Sequence, residues 1–296
     1  MVSITCEVMA ATRPTRYRRP VHPTPTPQPR PGELLRQWRE RRRRSQLDLA
    51  LAAEISARHL SFVETGRARP SRDMLLRLAE QLEVPLRERN HLLLAGGYAP
   101  VFGQAALDAP EMAGVREALH KVLTGHEPYP AVVVDRSWNL VDANAAVGVL
   151  LGPVDPELLA PPANVLRVSL HPGGMASQIV NLGEWRAHLF GRLRRQVALT
   201  GDTGLAELLD ELRAYPCDQP EPEVDVPGPG DVVVPLRLRH GDRELSFLSI
   251  MASFGTPLDV TVAELAIESF FPADPATGSV LRDLQAAQAP GAGGAG

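Results

Sequence analysis

The chain of 296 residues is poor in the residues that build several kinds of protein. It has two cysteines, one lysine and no apolar run approaching the 18 residues or so that a membrane-crossing helix needs. Cys6 and Cys217 stand far apart and fit no metal-ligand spacing, so neither a disulfide framework nor a zinc module is expected, and a reducing compartment suits them. No apolar signal-peptide core opens the chain, and the expected location is cytoplasmic. The eight histidines form no HxxxH or HExxH pattern, and P-loop and GxSxG motifs are missing too. The expectation is a protein without catalytic residues, bound metal or cofactor, not an enzyme and not inserted in a membrane.

What the chain does have is an uneven distribution of charge. Its formal net charge is −4, from 31 basic and 35 acidic side chains. Residues 1–100 hold 18 basic and 10 acidic side chains, whereas residues 101–296 hold 13 and 25. A basic front and an acidic back are expected where only one end meets phosphate. Arginine supplies nearly all the positive charge, which suits forked contacts to phosphate and guanine; a G+C-rich coding sequence produces the same bias.

The stretch Ser45 to Glu64, SQLDLALAAEISARHLSFVE, reads as two short helices joined by a tight turn. Leu47, Leu49, Ala50 and Ala53 are placed on the inner face of the first, and Leu60 and Val63 on that of the second. Ser56 is suited to cap the second helix, because its hydroxyl can accept from an orphan amide. Ala57, Arg58, Ser61 and Phe62 are left facing outward. The spacing fits a helix-turn-helix, whose second helix enters the major groove of DNA, and also a structural helical hairpin. Upstream, Leu34, Leu35 and Trp38 line an amphipathic helix that ends in Arg41 to Arg44. Downstream, Leu75, Leu78, Ala79 and Leu82 line another, and Leu86 to Leu94 suggests a fifth that closes at Gly96-Gly97.

Taken together, Gln46, Leu49, Ala50, Ser56, Leu60, Glu64, Gly66, Arg67, Pro70, Leu78, Ala79, Leu82 and Val84 resemble the Xre, or phage-repressor, family of DNA-binding domains. The resemblance implies a double-stranded DNA operator read by Ala57, Arg58, Ser61 and Phe62, with phosphates met by Gln46, Arg67 and Arg69. It also implies an internal ion pair between Arg39 and Glu64. Where the family has a turn glycine in a left-handed conformation, this chain has Glu54, at an expected cost of about 1 kcal/mol. One such domain reads few base pairs, so a homodimer is expected, with half-sites about one helical turn apart.

From residue 107 the pattern changes. A helix (APEMAGVREALHKVLTG) leads into the apolar run Ala131 to Asp135, and WNLV is expected as its hairpin partner. DANAAVGVLLG reads as a helix with Asp142 or Asn144 near its start. Amphipathic helices are expected over 174–199 and 203–213. After a proline- and acid-rich loop comes an antiparallel pair with Val232, Val234, Leu236 and Leu238 on one face and Leu245, Phe247 and Ser249 on another. The run VTVAELAIESFFPAD reads as a strand, with a helix over Val262 to Ser269 as the alternative.

Pro130 to Val147, Asn164 to Gly174, Ile179 to Trp185 and Phe254 to Asp274 resemble the ligand-binding domain of MmyB-like regulators, in a PAS-like order of elements. The resemblance implies a small, fatty-acid-like ligand in an apolar pocket. Aromatic candidates for its lining are Trp138, Trp185, Phe190, Phe247 and Phe254, and the polar candidates are Asn144, Arg167, His171 and Asn181. Each has a structural alternative: the aromatics as core, Asn144 as a turn cap, His171 as a solvated loop residue, and Arg167 as partner of an internal acid. The expected architecture is an all-α five-helix helix-turn-helix domain over residues 33–100, then an α+β PAS-like sensor domain over 107–285. A disordered Pro/Arg-rich tail is expected over 1–32, with Arg13, Arg16, Arg18 and Arg19 available to phosphates, and a flexible tail over 286–296. The competing reading makes the second domain a protein-interaction or dimerisation module with no small ligand.

Overall fold

The computed structural model describes residues 29–222 and 234–288. Most of the expected N-terminal tail, Val232, Cys6 and the last eight residues lie outside that range. Five helices come first: α1 (Pro31–Arg41), α2 (Gln46–Ala52), α3 (Ala57–Glu64), α4 (Arg72–Gln81) and α5 (Leu86–Ala95). Serines start three of them. Ser45, Ser56 and Ser71 accept from the amides of Asp48, His59 and Met74, so that helix-end donors are satisfied locally. Leu35, Trp38, Leu49, Leu60, Val63, Leu75, Leu78, Leu82, Leu92 and Leu93 form one buried cluster. Leu47 is a correction to the expected inner face, being 58% exposed. At 3.6 residues per turn it lies roughly 110° round α2 from the mean direction of Leu49, Ala50 and Ala53.

All five helices end on a residue with positive φ two positions beyond their last turn. Gly66 (φ 74°) and Gly97 (φ 81°) do this without strain, whereas Arg43 (52°), Glu54 (54°) and Glu83 (49°) carry a Cβ in the left-handed region. The five-helix unit is thus closed by repeated use of one turn geometry.

The chain leaves α5 through a segment pinned by Asn90, whose side chain accepts from the amides of Val101 and Phe102 and donates to the Phe102 carbonyl. After α6 (Ala113–Gly125) come β1 (Ala131–Val134), β2 (Leu140–Ala143), α7 (Gly148–Leu151), α8 (Val165–Leu170), α9 (Leu182–Thr200) and α10 (Thr203–Arg213). β3 (Leu236–His240), β4 (Arg243–Ser253), α11 (Val260–Ala263), β5 (Ala266–Pro272) and α12 (Pro275–Gln288) complete the fold. The strands form one sheet in the order β2-β1-β5-β4-β3, and every pairing is antiparallel. α6 packs Leu119 and Leu123 on one face, against Ala131, Val133 and Ile267. The other face carries the larger core, in which Val132, Phe247 and Phe270 meet Leu166, Trp185, Leu189 and Leu193.

Several boundaries differ from the sequence reading, each for a local reason. The partner of β1 starts at Leu140, because the Asp135 carboxylate accepts from the amides of Ser137 and Asn139 and holds a turn with Trp138 at φ 68°. The helix expected from Asp142 starts later: Ala143 ends β2, and Asn144 precedes a short 3-10 turn. The helix expected from residue 174 begins at Leu182. Before it, Val180 donates to the Arg237 carbonyl, and Asn181 bonds the backbone of Pro235 and Arg237, which ties this segment to β3. β5 is a strand, with α11 as a single helical turn before it. α12 runs to Gln288, into the stretch expected to be a tail.

Candidate DNA-reading surface and ligand cavity

α3 is placed for its outward face by what lies behind it. Leu60 and Val63 are buried, and the last residue of the helix, Glu64, has only 1% of its side chain exposed. Arg39 donates to both Glu64 oxygens through Nε (2.7 Å) and Nη2 (2.9 Å), and Gln46 Nε2 adds a third bond at 2.8 Å. The hydrogen bonds that Arg39 donates to Glu64, with the negative charge of that carboxylate, hold the Arg39 guanidinium above its ordinary pKa. α1, α2 and α3 are thereby fixed to one another by a single carboxylate. On the opposite side Arg58 is exposed and its guanidinium lies 5.4 Å from the Phe62 ring, with Arg67 at 6.0 Å from the same ring. Ser61 and Phe62 are half-buried, and Ala57 also packs against the core.

The residues assigned to phosphate differ in their freedom. Arg67 is exposed. Arg69 donates to the Gly96 carbonyl at the end of α5, and the Gln46 amide is committed to Glu64. The arginine run at the end of α1 divides in a way its sequence did not reveal. Arg42 donates to the carbonyls of Leu82 and Glu83, and Arg41 and Arg42 reach those of Thr200 and Leu199 on α9. Arg43 and Arg44 are exposed.

In the second unit a cavity of about 100 Å³ lies between the inner sheet face and the helices. Val132, Leu236 and Phe270 line it from the strands, and Leu166, Trp185 and Leu189 from α8 and α9. Its polar lining residues are Ser169 and Glu268. Ser169 Oγ accepts from Trp185 Nε1 at 3.0 Å. Glu268 is buried and accepts from Arg192 Nη1 at 3.0 Å. The Arg192 guanidinium lies 4.5 Å from the centre of the Trp138 ring; its Nη2 is buried and has no acceptor among the described residues. His188 stacks on Trp185 at 5.4 Å, and burial, helped by the charge of Arg192, pulls its pKa below the ordinary 6.5.

Of the nine side chains offered from sequence as lining the ligand, Trp185 lines this cavity and the others do not. Asn144 accepts from the Ala131 amide and donates to the carbonyls of Leu123 and Tyr129, joining α6 to β1. Asn181 bonds the backbone of β3 and its approach, as above. Arg167 forms a two-point pair with Glu211 at 2.7 and 2.8 Å. Tyr215 donates to the same carboxylate, and burial together with that bond pushes its hydroxyl up to about 12. His171 Nδ1 accepts from the Gly173 amide, and its ring meets Tyr215 edge-on. Phe190 is core under the Arg186 guanidinium. Trp138 is buried and donates to Gln196 Oε1. Phe247 is also core, and Phe254 packs near α6. The sequence reading missed Glu268, whose signal is a lone charge inside an apolar strand, and Arg192, which lies 76 residues away and has no local signal.

A larger space of about 610 Å³ separates the two units. Trp38, Arg41 and Arg87 face it from the helical unit, and Arg136, Trp138 and Arg192 from the other. Arg87 crosses between the units to Glu264, with two bonds of 2.7 Å. Arg136 bonds Asp202 and lies 3.5 Å from Glu264. Gln196, which receives the Trp138 indole proton, donates to the Arg136 carbonyl.

Among the described residues no helix is long and apolar enough to cross a membrane. A family model described as helix-turn-helix matches residues 35–89, and one described as the MmyB-like transcription regulator ligand binding domain matches residues 115–284. No curated protein matches the sequence. A solved structure described as that of an RNA-binding light-oxygen-voltage receptor is 14% identical, over 86% of this chain and 62% of that one, with a TM-score of 0.26. The chain thus spans less than two thirds of that receptor chain. Residues 115–284 are more than half of the chain, and it belongs to the family of MmyB-like regulators: a DNA-binding transcription regulator with a ligand-binding domain.

Proposed function

We propose that the second unit senses a small lipid-like molecule and that α3 reads the operator. The observation that carries the first part is the apolar cavity beneath α8 and α9, with two polar residues in its wall. Pockets of this make-up bind apolar ligands and orient them through a few polar groups. For the second part, Arg58 is the exposed arginine near the start of α3, where a forked contact to guanine O6 and N7 is made, with Ala57, Ser61 and Phe62 flanking it. Arg67 serves phosphate. Two copies are proposed to act together, as one domain of this size reads few base pairs.

A reading in which the second unit recruits protein draws on a different feature. Ile250 (57% exposed) and Phe271 (37%) stand on the sheet face beside α6, together with Val122 (48%), and exposed apolar patches mark protein contacts. The same patch is available to a second copy, which is how the homodimer is proposed to form. Solvent extraction of the purified protein and mass spectrometry of what is released test the ligand. A recovered acyl compound that raises thermal stability supports sensing. Loss of dimerisation in sedimentation when β4 carries Ile250→Lys, with no stabilisation by any acyl compound, favours the protein-contact reading.

A further inference from the structure

The C-terminal end of α9 is capped by side chains of the five-helix unit. A helix leaves its last carbonyls without partners of its own, and they carry the negative end of its dipole. In α9 the Thr200 carbonyl accepts from Arg41 Nη1 at 3.1 Å, and the Leu199 carbonyl from Arg42 Nη1 at 3.3 Å. Both guanidiniums rest on the buried ring of Trp38, 5.0 and 5.5 Å from its centre. Just past the helix Gly201 has φ 67°, and a Cβ there would collide with the Arg41 guanidinium. Glycine is needed twice over, for the left-handed turn and for the approach of the arginine.

Each side of this junction leads to a functional surface. On one side α9 is a single helix of 19 residues, about 28 Å long. It carries Trp185 and Leu189 into the wall of the apolar cavity, and Leu189 stands about 16 Å along the axis from Thr200. On the other side Arg41 is the last residue of α1, and Arg42 opens the turn into α2. Arg42 also donates to the carbonyls of Leu82 and Glu83 at the end of α4. Further along the turn the Arg44 carbonyl accepts from Arg39 Nη1 at 3.0 Å, and Arg39 is the residue that grips Glu64 at the end of α3. The α1–α2 turn is thus held to α9 by Arg41 and Arg42, and to α3 by Arg39. Arg87 and Glu264 also cross between the units, but neither lies on α9 or on this turn.

We infer that Arg41 and Arg42 are positioning residues that couple the cavity to the DNA-reading helix. A helix bonded along its length moves as one body, so whatever displaces Trp185 or Leu189 also displaces the carbonyls of Leu199 and Thr200. The two arginines follow those carbonyls, and the α1–α2 turn follows the arginines, which changes how α2 and α3 are presented to DNA. Neither arginine has to touch DNA or ligand for this. The inference rests on the reading of α3 as the DNA-contacting helix, and not on the identity of what fills the cavity. Such coupling is reciprocal: if the state of α9 alters DNA binding, bound DNA alters α9 to the same extent.

That reciprocity gives a test that needs no ligand. Hydrogen exchange is followed by mass spectrometry in the full chain, free and saturated with a duplex that the purified protein enriches from a random pool. In the wild type the duplex is expected to change exchange by about fivefold or more over the last turn of α9, the lower end of usual coupling, and to change it also in the segment carrying Trp185 and Leu189. Gly201→Ala drives Arg41 off the helix end without altering α1, and is expected to abolish this response while the duplex still binds. Arg41→Gln combined with Arg42→Gln is expected to do the same; Gly201→Ala keeps the test open where loss of the Arg42 bonds to α4 unfolds the helical unit. Arginines with a merely structural role would lower thermal stability and leave the response to duplex intact. A bound duplex that leaves α9 unchanged in the wild type, or a response that persists in full in either variant, overturns the coupling and leaves α3 as the reader. If no duplex is enriched, the reading of α3 falls and this inference falls with it.

Discussion

The two units of this regulator bury polar groups in different ways, and the difference matches what each does. In the five-helix unit the buried polar side chains are Glu64 and Asn90, and each has its partners. In the sheet unit Asn144, Asn164, Asn181, Arg186 and Glu268 are buried among helices and strands. Gln178, Arg186 and Arg192 each keep a buried nitrogen with no acceptor among the described residues. A core in which every polar group is satisfied holds one arrangement, which suits the base-reading role proposed for α3. A core with a cavity and unused donors has something left for a ligand to complete.

The sharpest test of that contrast is the carboxylate that ties α1, α2 and α3 together. Glu64→Gln leaves the half-buried Arg39 guanidinium without the countercharge of Glu64, at a cost of about 3–5 kcal/mol, read as a fall in thermal stability. A neutral result would mean that Arg39 is not held by this pair. Next in size is Arg58→Ala, expected to cost about 1–3 kcal/mol on the operator and to relax preference at one base pair. Equal weakening on every sequence would reassign Arg58 to phosphate.

Backbone strain provides a smaller and more direct comparison. Glu54 and Trp138 both have positive φ, at 54° and 68°. Glu54 is exposed, so Glu54→Gly is expected to stabilise by about 1 kcal/mol as its Cβ strain is released. Trp138→Gly is expected to destabilise, because the buried indole is worth more than the strain, at about 3–5 kcal/mol for loss of a large core side chain. Stabilisation by both changes would show that the Trp138 ring contributes no packing.

The pH dependence should be the mildest effect. The folded-state pKa of His188 is lowered from 6.5, so the native state favours the neutral ring. Its contribution is fully present above the unfolded value near 6.5 and declines as pH falls from there through the lower folded value. His188→Gln is expected to flatten the fall in thermal stability below that pH. An unchanged slope would place the dependence on other groups.

The same contrast explains what could be read from sequence. The helical unit was legible because its evidence is local: serine caps, leucines at helical spacing, and a turn position where Glu54 does take the left-handed conformation. Helix α2 shows the limit of this, since a two-turn helix leaves Leu47 on its flank. In the sheet unit the strands were visible through alternation. The segment before α9 was not, because Asn181 is held by β3 from more than fifty residues away. The polar candidates Asn144, Arg167, His171 and Asn181 are tied to nearby backbone or acids. The cavity instead presents Glu268, whose partner Arg192 comes from another element. Side-chain type and local spacing identify a cap or a core stripe, but not which charges the tertiary fold will bring together.

Operator affinity measured with and without saturating decanoate tests most directly whether filling the cavity changes how the helical unit meets DNA. The sequence enriched from a random DNA pool by the purified protein serves as operator. A ligand alters DNA binding only through different affinity for two arrangements of the molecule, and a shift of about tenfold corresponds to ~1.4 kcal/mol of such coupling. The account predicts a shift of that order, reduced in Glu264→Gln, where the contact from Arg87 across the units is weakened. Decanoate that binds and stabilises the protein while operator affinity stays the same would contradict it.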